Sequence, residues 1–131
     1  MVGIVIVAHS DMLAKGLKDI AQEMADGHVK IVAAGGLDDK TMGTNAERIF
    51  KAIRQAWSPD GVLILFDLGS ALISTEVAIG MLSPEERQHV IISNAPMVEA
   101  AIVAAVEASL GRRLERVKTA AEATRNIPKI S

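Results

Sequence analysis

Hydrophobic residues in this chain fall into two kinds of segment that alternate along its length. The first kind is a short continuous run rich in β-branched residues, such as Gly-Ile-Val-Ile-Val-Ala over 3–8. Runs of that kind mark strands buried on both faces. The second kind spaces its apolar residues by three and four, as an amphipathic helix requires. After the first strand, Ser10 and Asp11 are good N-cap types, and Leu13, Leu17, Ile20 and Met24 follow at helical spacing up to Gly27. A second strand is expected over 29–34, then a loop from Gly35-Gly36 to Gly43. That loop is longer than most strand-to-helix connections, which favours a functional role. Thr44 or Asn45 can cap the next helix, and Glu47 stands where a capping box with Thr44 would need it. Its apolar face is Ile49, Phe50, Ile53 and Trp57.

The turn Ser-Pro-Asp-Gly over 58–61 leads to a third strand over 62–66 and a tight loop over 67–70. A helix is expected from about 71 to 82, broken by Ser83-Pro84, and a fourth strand over 89–93. An Ala-rich helix over 96–110 ends at Gly111, and a weaker helix covers roughly 114–125. Strands that alternate with helices make a parallel sheet with right-handed crossovers. The fold class is therefore α/β: a single domain over 1–131, with a four-stranded parallel sheet of order 2-1-3-4 and helices on both faces. In that order strands 1 and 3 flank the switch point where open sheets bind ligands. His9 follows strand 1 and Asp67 follows strand 3, so both are expected at the same crevice.

Composition narrows the class. The 131 residues are 50% hydrophobic but only 2% aromatic, so the core must be built from aliphatic side chains and Met. Fourteen basic and sixteen acidic residues give a net charge of -2, with no basic surplus to suggest nucleic acid. With no cysteine, the chain can form neither a disulfide framework nor a thiolate metal site. No signal-peptide pattern or membrane-length apolar run is read, and a cytoplasmic location is expected. The helix over 71–82 has Leu72, Ile73, Val77, Ile79, Met81 and Leu82 spread widely around it. A helix apolar on all sides is buried on more than one side, which points to a homodimer.

The chemistry expected at the crevice is phosphoryl transfer. A neutral imidazole attacks phosphorus well when one nitrogen is free and the other is held as a donor by a carboxylate. Asp67 is placed to do this for His9. The arriving phosphoryl group needs donors, and Ser10 at a helix start, Gly36 and Thr44 in the long loop, and Gly69 and Ser70 at another helix start are the candidates. Each residue also has a structural reading: Asp67 as a helix cap, Gly35-Gly36 as a turn, Asp38 and Asp39 as solvated loop charges. His28 and His89 read as a surface and a strand-edge residue. A metal hydrolase built on His9, Asp67 and Asp38 or Asp39 would have unconvincing ligand spacing, so no metal site is expected. A receiver domain would need acidic residues where His9 stands. A flavodoxin would need a hydroxyl-rich loop there.

At these residues the chain resembles a known family. The segments are Gly-Ile-Val-Ile-Val-Ala-His-Ser over 3–10, Ala-Gly-Gly-Leu-Asp-Asp over 34–39 with Gly43-Thr44, and Asp-Gly-Val-Leu-Ile-Leu-Phe-Asp-Leu-Gly-Ser-Ala over 60–71 with Thr75-Glu76. Asn-Ala-Pro-Met-Val-Glu-Ala over 94–100 completes the set. Together they resemble the EIIA-like part of the DhaM family, the phosphotransferase subunits of phosphoenolpyruvate-dependent dihydroxyacetone kinases, related to mannose-type EIIA proteins. The resemblance implies that the phosphocarrier HPr phosphorylates His9, by the wider group's pattern on Nε2, with Asp67 beside it. It implies that the phosphoryl group passes to ADP, with magnesium, on the partner subunit DhaL, and that DhaK acts downstream on dihydroxyacetone. It implies no cofactor bound by this chain itself, and a dimer. Sugar-transporting relatives usually carry a Gly-Gly-Ser-Pro-like stretch after the strand-3 aspartate. Here Asp-Leu-Gly-Ser-Ala-Leu runs over 67–72, which favours the kinase branch over an EIIA component of a mannose-type sugar permease. Some family members continue into HPr-like and enzyme I-like domains, so the chain is expected to be a short member or one excised domain.

Overall fold

Four parallel strands, β1 (Gly3–Ala8), β2 (Ile31–Gly35), β3 (Val62–Phe66) and β4 (Val90–Ser93), form one sheet of order β2-β1-β3-β4 in a computed structural model that describes residues 1–130. The order agrees with the sequence expectation. Register follows the apolar runs: Ile4, Val5 and Ile6 lie opposite Ile31, Val32 and Ala33 on one side, and opposite Leu63, Ile64 and Leu65 on the other. β1 is central, and every residue from Gly3 to Ala8 is buried.

Alternation along β1 sorts the core into two layers. Ile4, Ile6 and Ala8 face α1 (Asp11–Met24), α5 (Met97–Ser109) and α6 (Leu114–Ala123). Val5 and Val7 face α2 (Ala46–Ala56) and α3 (Ser70–Gly80). The small residues of α5, Ala100, Ala101, Ala104, Ala105 and Ala108, are all fully buried and let that helix lie close to the sheet. The sparse aromatic content is thus met by close helix–sheet approach rather than by large core side chains.

Several boundaries differ from the expectation, each for a local reason. β2 starts at Ile31 rather than 29, because the Val29 amide closes a turn onto the Asp26 carbonyl. The capping box expected at Thr44 and Glu47 does not form. Asn45 is the cap, and its side chain accepts the Glu47 and Arg48 amides. A capping box appears instead at Ser83 and Glu86, where it starts α4 (Pro84–Arg87), a single turn between α3 and β4. The apolar excess of α3 is only partly absorbed: Ala71, Thr75 and Ala78 face inward, while Ile73, Val77 and Met81 remain exposed. No helix among the described residues is long and apolar enough to cross a membrane.

Candidate functional site

The chain turns sharply at the carboxyl end of β1, and two glycines make room for it. At Gly35 a Cβ would stand 2.8 Å from both the Ala14 Cβ and the Asp11 Cα, so the end of β2 lies directly against the start of α1. Gly36 has a φ of 75°, and a Cβ there would stand 3.5 Å from the Asp11 amide nitrogen. Glycine at 35 lets the start of α1 pack against the end of β2, and glycine at 36 permits the left-handed turn into the loop, where a Cβ would stand 2.4 Å from the Asp38 carbonyl oxygen. Ser10 caps that helix by accepting the Leu13 amide at 3.2 Å.

His9 and Asp67 meet as the topology requires. The Asp67 carboxylate accepts the His9 main-chain N–H at 2.9 Å through Oδ2, and stands 2.9 Å from the ring Nδ1 through Oδ1. Oδ1 also accepts the Leu68 amide at 2.7 Å. A carboxylate only accepts, so Nδ1 carries the proton and the lone pair of the neutral ring is on Nε2. The Ser70 hydroxyl, 2.6 Å from Nε2, donates to that lone pair. Asp67 is the more enclosed partner, its side chain 11% exposed against 26% for His9, so the ring is anchored on its inner edge and open on its outer one.

Among the described residues, the amides of Asp11 and Met12 at the start of α1 donate to no protein acceptor, nor do those of Gly69 and Ser70 at the start of α3. Helix N-termini of this kind favour an anion. The other two candidates are engaged elsewhere. The Gly36 amide donates to the Ala8 carbonyl at 3.1 Å, so this residue contributes space rather than a donor. The Thr44 hydroxyl shares a 2.6 Å hydrogen bond with that of Ser74. Sequence reading missed Ser74. Its only signal was a serine one helical turn beyond Ser70 in an otherwise apolar stretch.

Loop charges frame the site without entering it. The Asp11 side chain accepts from Arg48 at 3.1 Å and from Lys15 at 2.8 Å, and Arg48 also reaches Asp39 at 3.2 Å. The hydrogen bond and charge of Asp11 raise the pKa of Lys15. Asp38 folds back on its own loop, accepting the Lys40 and Thr41 amides at 2.8 Å each. The Lys40 amide, followed by the Thr41 hydroxyl, holds the Asp38 carboxyl below its ordinary value. Asp38 and Asp39 are thus engaged by partners in and beside their own loop, and among the described residues no three His, Asp or Glu side chains are grouped to hold a metal. His28 is exposed and bonded to Asp26, and His89 packs edge-on to Trp57. A small cleft of about 70 Å³ lies between Ser10–Met12 and the 38–42 loop.

Comparison with known proteins gives the family. A family model, EIIA-man, described as the PTS system fructose IIA component, matches residues 3–118, and the chain belongs to that family. A relative in Listeria innocua, named phosphoryl donor subunit DhaM of PEP-dependent dihydroxyacetone kinase 2, is 35% identical over 89% of this chain and 94% of its own length. One in Lactococcus lactis, named phosphotransferase subunit DhaM of a PTS-dependent dihydroxyacetone kinase, is 35% identical over 88% and 89%. Within EIIA-man the chain thus belongs to the DhaM family. It also matches the Providencia stuartii DhaM at 36% identity over 93% of this chain, but there it spans only 26% of the relative's length. A crystal structure titled as the unknown function protein EF1359 superposes with a TM-score of 0.82 at 31% identity, covering 93% of this chain and 94% of that one.

Proposed function

We propose that this protein is a phosphoryl carrier that accepts a phosphoryl group from phospho-HPr on His9 and passes it to ADP bound on a DhaL-type subunit of dihydroxyacetone kinase. The observation that carries the reading is the pairing of His9 with Asp67 on Nδ1, which leaves Nε2 as the nucleophile. In the first step Nε2 forms a bond to phosphorus as the donor's bond to it breaks. Positive charge develops on the ring beside the Asp67 carboxylate. In the second step the Nε2–phosphorus bond breaks as an ADP oxygen takes the phosphoryl group, and neutral His9 is regenerated. Such transfers depend mainly on positioning and charge stabilisation, which the carboxylate, the Ser70 hydroxyl and the two helix N-termini can supply.

The surroundings of His9 suit protein partners. Met12, Met42 and Leu68, one on each of the three segments that meet at the site, are 83%, 72% and 62% exposed. Exposed Met side chains adapt to different surfaces, as a carrier that docks on a donor and then an acceptor requires. The larger grooves, of about 410 and 360 Å³, do not include His9. The exposed Ile73, Val77 and Met81 stripe of α3 supports a homodimer, and the relatives' names as phosphoryl donor or phosphotransferase subunits of dihydroxyacetone kinases support a carrier role, which this reading places in the cytoplasm upstream of DhaK.

A second reading keeps the chemistry and changes the acceptor: an EIIA component feeding a sugar permease, favoured by the family description as a PTS sugar component. Incubation with phosphoenolpyruvate, enzyme I and HPr is expected to add one acid-labile phosphoryl group to the wild type and none to His9→Ala. Labelling of His9→Ala at the wild-type level would refute the carrier reading. Discharge onto ADP-loaded DhaL is then expected. Discharge only onto a permease IIB domain would support the second reading.

A further inference from the structure

Ser74 and Thr44 form a link that the transfer chemistry itself does not call for. Ser74 lies one turn after Ser70 on α3, so the two side chains project from the same face of that helix. The next hydroxyl, on Thr75, bonds back to the Ala71 carbonyl within the helix, whereas Ser74 reaches out of it. Its partner Thr44, half-buried like Ser74, follows Gly43, whose N–H donates to the His9 carbonyl at 2.8 Å. A closed circuit results. It runs from the His9 carbonyl through Gly43 and Thr44 to Ser74, along one turn of α3 to Ser70, and from the Ser70 hydroxyl to Nε2 of the same histidine.

We propose that Ser74 and Thr44 are positioning residues for phosphoryl transfer: their shared hydrogen bond ties α3 to the end of the 36–43 loop and so holds the Ser70 hydroxyl beside the outer nitrogen of His9, where it turns from the lone pair to the arriving phosphoryl group. Neither residue touches the ring. Serine is also a poorer helix former than alanine in the middle of a helix. A purely structural role would thus make Ser74→Ala close to neutral or mildly stabilising, with no effect on chemistry. The positioning role separates the two readouts, because the loss falls on transfer while the fold stays intact.

The inference rests on His9 being the phosphoryl acceptor, and the test keeps the two claims apart. Phosphoryl uptake from phospho-HPr is measured for Ser74→Ala, Thr44→Val, the double variant and Thr44→Ser, beside thermal unfolding. Each hydroxyl-deleting variant is expected to lower kcat about threefold to tenfold, the size of one hydrogen bond, with KM for phospho-HPr unchanged. The double variant is expected to be no slower than the slower single, because both remove the same bond. Thr44→Ser, which keeps the hydroxyl, is expected to recover most of the rate. Wild-type kcat in Ser74→Ala, additive losses in the double variant, or a rate loss matched by a fall in Tm would each overturn the proposal. If the wild type takes up no phosphoryl group, the carrier reading fails, and the ¹⁵N resonance of His9 Nε2 decides the positioning claim alone. It shifts alike in both single variants if the circuit holds Ser70 in place. An unmoved resonance would overturn the claim.

Discussion

Asp67 holds His9 at two points, its main-chain N–H at 2.9 Å and its ring Nδ1 at 2.9 Å. The carboxylate therefore fixes the ring against the histidine's own backbone, and a third bond from the Leu68 amide fixes the carboxylate. One side chain sets the rotamer, the tautomer and the exposed nitrogen together. The topology makes this possible: Asp67 leaves β3 beside β1, and its own amide donates to the Val7 carbonyl at 3.1 Å.

Asp67→Asn is expected to keep the fold and lose the chemistry. An amide can turn its NH₂ toward Nδ1, which moves the ring proton to Nε2 and removes the nucleophilic lone pair. Phosphoryl uptake is expected to fall about a hundredfold or more, as for other groups that orient or assist a catalytic imidazole. Stopped-flow labelling from phospho-HPr measures it, and a loss smaller than about threefold would show that Asp67 does not control the tautomer.

Ser70→Ala separates a supporting role from an acceptor role. The Ser70 hydroxyl occupies the Nε2 lone pair in the resting site and must turn aside before attack. Removing it deletes one donor but leaves the nucleophile intact, so uptake is expected to stay within about tenfold of wild type. A loss as complete as in His9→Ala would show that the Ser70 hydroxyl is indispensable to transfer and overturn its supporting role.

Glycine substitutions test the packing beside the site. Gly35→Ala pushes a methyl group against Ala14 and the backbone of Asp11 in a buried position, and is expected to cost about 1–3 kcal/mol of stability. Gly16→Ala, in the middle of α1 with nothing within 4 Å of the added carbon, is expected to stabilise by about 0.4–1 kcal/mol. Urea unfolding of both variants gives opposite signs if β2 rests on α1 as described. Equal effects would contradict that packing.

The 36–43 loop is expected to resist acid beyond the ordinary aspartate range. Asp38 has a folded pKa lowered chiefly by the Lys40 amide, so its contribution is complete above the unfolded value. It is lost only as the pH falls through the lowered folded value. The NMR shifts of the Lys40 and Thr41 amides report this directly. Midpoints at or above about 3.9, the ordinary aspartate value, would show that the carboxylate does not hold the loop.

Much of this arrangement was legible in the chain. The apolar runs over 3–8 and 62–66 identify buried strands, and strand–helix alternation then dictates the sheet order that brings His9 to Asp67. The misses lie where local competition decides. Thr44 and Asn45 are both capping types, and only the packed structure shows that Asn45 caps while Thr44 turns to Ser74. Ser74 was illegible because a serine inside an apolar helix has no period or spacing that marks its partner. Gly36 is expected among the phosphoryl-binding residues from its position alone; its amide continues the β1–β2 ladder onto the Ala8 carbonyl, and its positive φ turns the chain into the loop beyond.

The most direct measurement is ³¹P–¹⁵N correlation on the protein labelled with ¹⁵N-histidine and charged from phosphoenolpyruvate through enzyme I and HPr. A single phosphoryl group with one-bond coupling to Nε2 of His9 is the expected result. Phosphate on Nδ1, on another residue, or on none would contradict the assignment of His9 as a carrier oriented by Asp67.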